Sequence, residues 1–184
     1  CFECCGHASG GCRHIRGDPG LRVTGYGVIA HQNQSSRYIA SGVIKTSNEA
    51  GNLASRIKTI LIGLTQVIEE YQPEVVAIEK VFVNTNPQST LLLGQARGAA
   101  ISAAVLKDLE VFEYTALQIK KSVVGQGHAS KEQVQVMIQK LLKLPSVPST
   151  DSADALACGM CHANISNSLA NLGVGNRMKG GRII

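Results

Sequence analysis

Glu74-Val75-Val76-Ala77-Ile78-Glu79 is a short, continuous apolar run that ends on an acid. A run of this length without polar alternation reads as a strand buried on both faces, and such a strand needs helices above and below it. Both flanks supply one. Upstream, Leu53, Ile57, Ile60, Leu61, Leu64, Val67 and Ile68 recur at three- and four-residue steps, the stripe of an amphipathic helix that ends near Tyr71, before Pro73. Downstream, a helix is expected from about Ser89 to Leu106. Its small residues Gly94, Ala96, Gly98, Ala99, Ala100, Ala103 and Ala104 would let it pack close to a neighbour.

Outward from this centre, Val23 to Ala30 and Arg37 to Thr46 read as an antiparallel hairpin joined by the polar turn His31 to Ser36. Glu110 to Tyr114 is a further short strand, and Leu117 to Val124 a short helix broken by Gly125 and Gly127. Ser130 followed by Gln133 is a capping-box pattern opening a helix lined by Val134, Met137, Ile138, Leu141 and Leu142. Pro145 and Pro148 stop that helix, and Ser149 or Thr150 can cap a last one from about Asp151 to Ala163. Alternating strands and helices define an α/β class: a mixed sheet with an N-terminal antiparallel hairpin and helices on both faces. Residues 17–163 form one domain. Residues 1–16 are an atypical N-terminal segment, and 164–184, with Arg177, Lys179 and Arg182 among glycines, are expected to be a poorly ordered basic tail.

With 44% hydrophobic and 17% charged residues, the 184-residue chain is a folded protein rather than a disordered one. Eighteen Lys and Arg against thirteen Asp and Glu give a net charge of +5, which favours an anionic partner such as nucleic acid. No run of eighteen apolar residues exists and the start lacks the pattern of a secretory signal, so no membrane partner and a cytoplasmic location are expected. Four of six cysteines, Cys1, Cys4, Cys5 and Cys12, crowd into the first twelve residues, unlike a disulfide framework. With His7 and His14 they offer irregularly spaced zinc donors. Cys158 and Cys161 fall inside the last helix and read as small core residues.

In this basic chain four carboxylates stand at the ends of apolar elements: Asp18 before Pro19-Gly20, Glu79 after the buried strand, and Asp151 and Asp154 three apart on one helical face. If those elements converge, the acids form a hard-oxygen cage suited to Mg²⁺ or Mn²⁺. Beside a basic surface, such a cage points to phosphodiester chemistry.

The residues that carry these acids resemble the RuvC family of bacterial Holliday-junction resolvases. The resemblance runs through the stretch from Gly17 to Ile29, then Ala77 to Phe82, Leu93 to Gly98, Val123-Val124-Gly125, Leu141 to Pro145, and Asp151 to Ala157, in the family's order. It implies an RNase H-like fold, a homodimer, and one active site per subunit, each cutting one of two strands of like polarity in a four-way DNA junction. It also implies that Asp18, Glu79, Asp151 and Asp154 are the catalytic, metal-holding acids, with two Mg²⁺ per subunit and Mn²⁺ as a substitute. Lys120 and Lys131 then stand near the scissile phosphate, Phe82 stacks on a base near the junction centre, Arg97 lies on a DNA-binding helix, and a branch-migration motor is the partner.

One stretch departs from the family pattern. Before Asp18, residues 12–17 offer a single large aliphatic, Ile15, where an apolar strand is expected. Either a degraded strand still pairs in the sheet, or the segment to Arg16 is foreign to the domain. The alternatives to a resolvase are another RNase H-like nuclease, such as one cutting RNA–DNA hybrids, and a junction-binding protein with impaired catalysis. An actin-like nucleotide-binding protein would need two domains, more than this chain holds.

Overall fold

The computed structural model describes residues 12–14, 23–46, 52–80, 87–171, 178–179 and 182–183. The chain folds as β1 (Cys12–His14), β2 (Val23–Gln32), β3 (Ser35–Lys45), α1 (Leu53–Tyr71), β4 (Val75–Glu79), α2 (Pro87–Val105), β5 (Glu110–Tyr114), α3 (Ala116–Val124), α4 (Lys131–Leu141) and α5 (Thr150–Asn171). A short pair, β6 (Met178–Lys179) and β7 (Arg182–Ile183), follows.

Strands β1, β2 and β3 form an antiparallel ladder, β4 and β5 a parallel pair, and β1 also lies against β4. The expectation of a mixed sheet is therefore met. A strand does precede Asp18: Cys12–His14 pairs with His31, Ala30 and Ile29. Main-chain hydrogen bonds to β2 do not require the apolar side chains that this stretch lacks. The β2–β3 hairpin is tighter than the six-residue turn expected. Its strands continue through His31 and Ser36 to a two-residue turn at Asn33 and Gln34, both at positive φ (49° and 66°), as the twist of a hairpin favours.

Helices cover both faces, and the strand side chains alternate between them. Val28, Val76 and Ile78 face α1 and the alanine side of α2, where Ala96, Ala99, Ala100, Ala103 and Ala104 are buried. Ile29, Ala77, Phe112 and Tyr114 face α3, α4 and α5. The small residues of α2 thus divide: the alanines pack close to the core as expected, whereas Gly94 and Gly98 face outward, and a Cβ added at either would meet nothing within 4 Å among the described residues.

Capping fixes the helix starts. Ser130 and Gln133 make the expected box on α4, and Thr115 with Gln118 makes a second on α3, with Gly125 (φ 83°) closing it. Ser149 caps α5, its Oγ accepting from Ser152 N at 3.4 Å. Helix α5 runs on to Asn171, not Ala163. The polar residues continue it because no Pro or Gly intervenes until Gly173, and Asn164 Nδ2 donates to Ser122 Oγ of α3 at 3.1 Å.

From Ser152 to Ala163 every residue of α5 but Asp154 is buried, so this is the central helix of the domain. Cys158 and Cys161 are buried free thiols within it, as expected of small core residues. His162 is also enclosed. Its Nδ1 shares a 2.7 Å hydrogen bond with Tyr114 Oη, its Nε2 a 3.2 Å bond with Ser166 Oγ, and the Phe112 ring centroid lies 4.5 Å away.

Burial, with His31 of β2 adding repulsion, lowers the His162 pKa from 6.5 to about 4. The unfolded chain therefore binds this proton at a higher pH than the folded one. Stability from the neutral imidazole is complete above pH 6.5 and drains as pH falls toward about 4, by about 3 kcal/mol in all. The groups that face it are Tyr114 of β5, His31 of β2 and Ser166 of its own helix, and Cys158 and Cys161 act on Tyr114. The urea midpoint is expected to fall between pH 6.5 and about 5, above the carboxylate range, and to lose most of that slope in His162→Gln.

Candidate active site

Glu79 is the last residue of β4, half-buried, and its register partner in β5 is Tyr114. The next amide, Lys80 N, donates to Tyr114 O at 2.7 Å, so the ladder holds the backbone on both sides of the acid. Asp151 and Asp154 sit in the first turns of α5, where a helix amino terminus tolerates negative charge.

What sets the helix start on the sheet is β2. Gly25 and Gly27 share one face of that strand. A Cβ at Gly25 would lie 2.6 Å from the Asp151 carbonyl oxygen, and one at Gly27 would lie 2.8 Å from Leu156 Cδ2. Only hydrogen at these positions lets the helix backbone come this close. This seat was legible in the sequence as two glycines at strand period, Gly25-Tyr26-Gly27, but nothing local says which element descends on them.

Lys131, the first residue of α4, reaches across to α5. Its Nζ is 3.4 Å from Asp154 Oδ2, with the lysine side chain 60% exposed and the carboxylate 21%. Lys120 lies half-buried on α3, which packs against α5, and makes no ion pair among the described residues. Arg97 of α2 is turned to β5, where it forms an ion pair with Glu113, and its buried Nε has no hydrogen-bond partner among the described residues. Burial holds its pKa below the usual guanidinium value. Asp18 and Phe82 lie outside the described residues. Among the described residues no group of three His, Cys, Asp or Glu side chains is close enough to hold a metal, so a complete cage needs a donor beyond them. Among them, too, no helix is long and apolar enough to cross a membrane.

The family model for "Crossover junction endodeoxyribonuclease RuvC" matches residues 15–162, a span that includes all eight candidate residues. The chain belongs to the RuvC family. A RuvC from Methylobacillus flagellatus is 59% identical over 172 residues, covering 91% of this chain and 96% of its own. A RuvC from an Azoarcus species is 59% identical over 168 residues, covering 91% of each. The Thermus thermophilus RuvC structure matches with a TM-score of 0.75 and 31% identity over 86% of this chain and 95% of that one. T. thermophilus RuvC in complex with Holliday junction substrate matches at 0.74 and 28%, with the same coverage. The yeast mitochondrial Holliday junction resolvase Ydc2 shares the fold at a TM-score of 0.61, with 10% identity, over 90% of this chain and 84% of its own.

Within this RuvC chain the described acids Glu79, Asp151 and Asp154 offer carboxylate oxygens, the donor type that Mg²⁺ and Mn²⁺ prefer. By chemistry they suit a hard divalent cation, although no three such side chains come together among the described residues. The imidazole and thiols nearest in sequence, His162, Cys158 and Cys161, are enclosed in the core.

Proposed function

We propose that this chain cuts four-way DNA junctions at a site built from Asp18, Glu79, Asp151 and Asp154, with Lys131 and Lys120 holding the scissile phosphate. The activity itself, endonucleolytic resolution of crossover junctions, is that of the family to which the chain belongs. The observation that carries the site assignment is the start of α5: Asp151 is seated on Gly25, and Asp154 is within 3.4 Å of the exposed lysine of α4.

Asp18 joins by position in the chain. In sequence it stands between His14, the last residue of β1, and Val23, the first of β2. Two Mg²⁺ per subunit are proposed, with Mn²⁺ as substitute. When bound, such ions offset charge on the phosphorus and make water a better nucleophile near neutral pH.

The protein groups have separable tasks. The carboxylates, carried by a strand end and a buried helix, hold their oxygens in place without reorganisation. Lys131 is tethered lightly to Asp154 and exposed, so its ammonium can shift to a phosphate oxygen as a point charge. Lys120 adds a second cation from α3. Arg97 contacts DNA by exchanging Glu113 for phosphate, and Phe82, close after β4 in sequence, stacks on a base. A homodimer is proposed through the outward face of α2, where Leu91, Gly94, Gly98 and Val105 lie exposed in one strip. A branch-migration motor as partner rests on family resemblance alone.

The test is a gel comparing a mobile four-way junction, an RNA–DNA hybrid and a linear duplex, each with and without Mg²⁺. Cleavage of the junction alone, and only with metal, is expected. Preferential cutting of the hybrid would make the chain a different nuclease of this fold, and binding without cutting would make it an inactive junction binder.

A further inference from the structure

Two of the four proposed acids stand on α5 and one on β4, and these elements belong to different ladders: α5 is seated on β2, whereas β4 pairs with β5. Their relative position depends on whatever ties α5 to the β4–β5 pair. The core offers a polar tie of this kind. Tyr114, the register partner of Glu79, is 2% exposed, and its hydroxyl bonds His162 of α5 at 2.7 Å. Ser166 Oγ engages the other imidazole nitrogen, and Phe112, two residues before Tyr114, covers the ring.

From these contacts we infer that Tyr114 and His162 are positioning residues, which set the distance between Glu79 and the α5 carboxylates. This rests on the site assignment above. Helix α5 is held at two places: near its start by Gly25 and Gly27, and farther along by Tyr114. The helix rises about 1.5 Å per residue, so His162 lies about 9 Å beyond Leu156, and Asp151 about 7.5 Å before it. Because the glycine seat holds Asp151 and Leu156 to β2, loosening the tie lets the β4–β5 pair, and Glu79 with it, drift against the α5 carboxylates. Both side chains are buried in the core, so neither touches substrate.

Tyr114→Phe removes the hydroxyl and keeps the ring. The expected result is a kcat lower by about tenfold, a several-fold higher Mg²⁺ concentration for half-maximal cleavage, and a KM for the junction that does not change. Mn²⁺ binding without DNA, followed by calorimetry, should weaken in parallel, and metal-free junction binding should stay at the wild-type value. His162→Gln, whose amide can still bond Tyr114 Oη, should lose less than His162→Ala.

Ile138→Val, in the same core but on α4 and outside the hydrogen-bonded tie, controls for stability alone. It should lower Tm without moving the Mg²⁺ dependence. The inference is overturned if Tyr114→Phe lowers Tm but leaves kcat and Mn²⁺ affinity unchanged, or if Ile138→Val moves them as much per degree of Tm lost. Should Tyr114→Phe not fold, the Mn²⁺ affinity of His162→Gln against His162→Ala decides. A Glu79→Gln variant separates the two levels: an inactive Glu79→Gln enzyme beside a fully active Tyr114→Phe enzyme removes only the positioning role, whereas an active Glu79→Gln enzyme removes the site.

Discussion

Glu79→Gln is expected to bind a four-way junction and leave it uncut. The substitution keeps the side chain's shape and the β4–β5 ladder, because the backbone pairing with Tyr114 and the Lys80–Tyr114 bond do not involve the carboxylate. It removes one negative charge from the proposed cation site. Charge stabilisation by a bound cation is worth several kcal/mol at the transition state, so the rate of cleavage should fall by about 10³-fold or more. Binding without metal should stay the same or tighten, because a carboxylate that repels the phosphate has gone. Asp18→Asn, Asp151→Asn and Asp154→Asn should behave alike. Single-turnover cleavage alongside a gel shift in chelator measures both quantities, and a wild-type rate for Glu79→Gln would remove it from the site.

The second large effect comes from a residue with no chemistry. Gly25→Ala should cost about 10²-fold in kcat, the scale of a misplacement of about 1 Å at a reacting centre. The added methyl would stand 2.6 Å from the Asp151 carbonyl oxygen and 3.0 Å from Asp151 Cβ. Both partners are backbone or next to it, so no side chain can swing away, and the helix start has to lift or the strand has to bend. Gly42→Ala, on β3, is the comparison. Its methyl meets the Tyr26 side chain at 2.7 Å, a group that can turn aside. That variant should lose stability, read as Tm, while its kcat stays near the wild-type value. Equal kcat for Gly25→Ala and the wild type would show that the α5 acids do not need this seat.

Much of the fold was legible because it obeys local rules. The strand at 75–79, the helix stripe from Leu53 and the Ser130–Gln133 box each depend on residues within a turn or two of one another. Thr115–Gln118 has the same capping signature and was equally readable. Expectation and structure part where a local signal is absent or shared. The polar stretch His31–Ser36 offers no way to separate turn from strand, and the helix expected to end at Ala163 continues through Asn164–Asn171 because polarity alone does not break a helix. β1 has too few apolar side chains to announce itself, since its pairing comes from the main chain.

The site divides in the same way. Which residue types could do the chemistry is written in the chain, through four acids at element ends and lysines on short helices, and the family resemblance gives them roles. What each of them meets is a property of the closed core. There Asp151 rests on Gly25, Lys131 comes to Asp154, Arg97 turns to Glu113, and Tyr114 is tied to His162 across 48 residues of chain. Hydrogen bonds and close packing between distant segments form only when the whole core closes, so no local pattern in the chain encodes them.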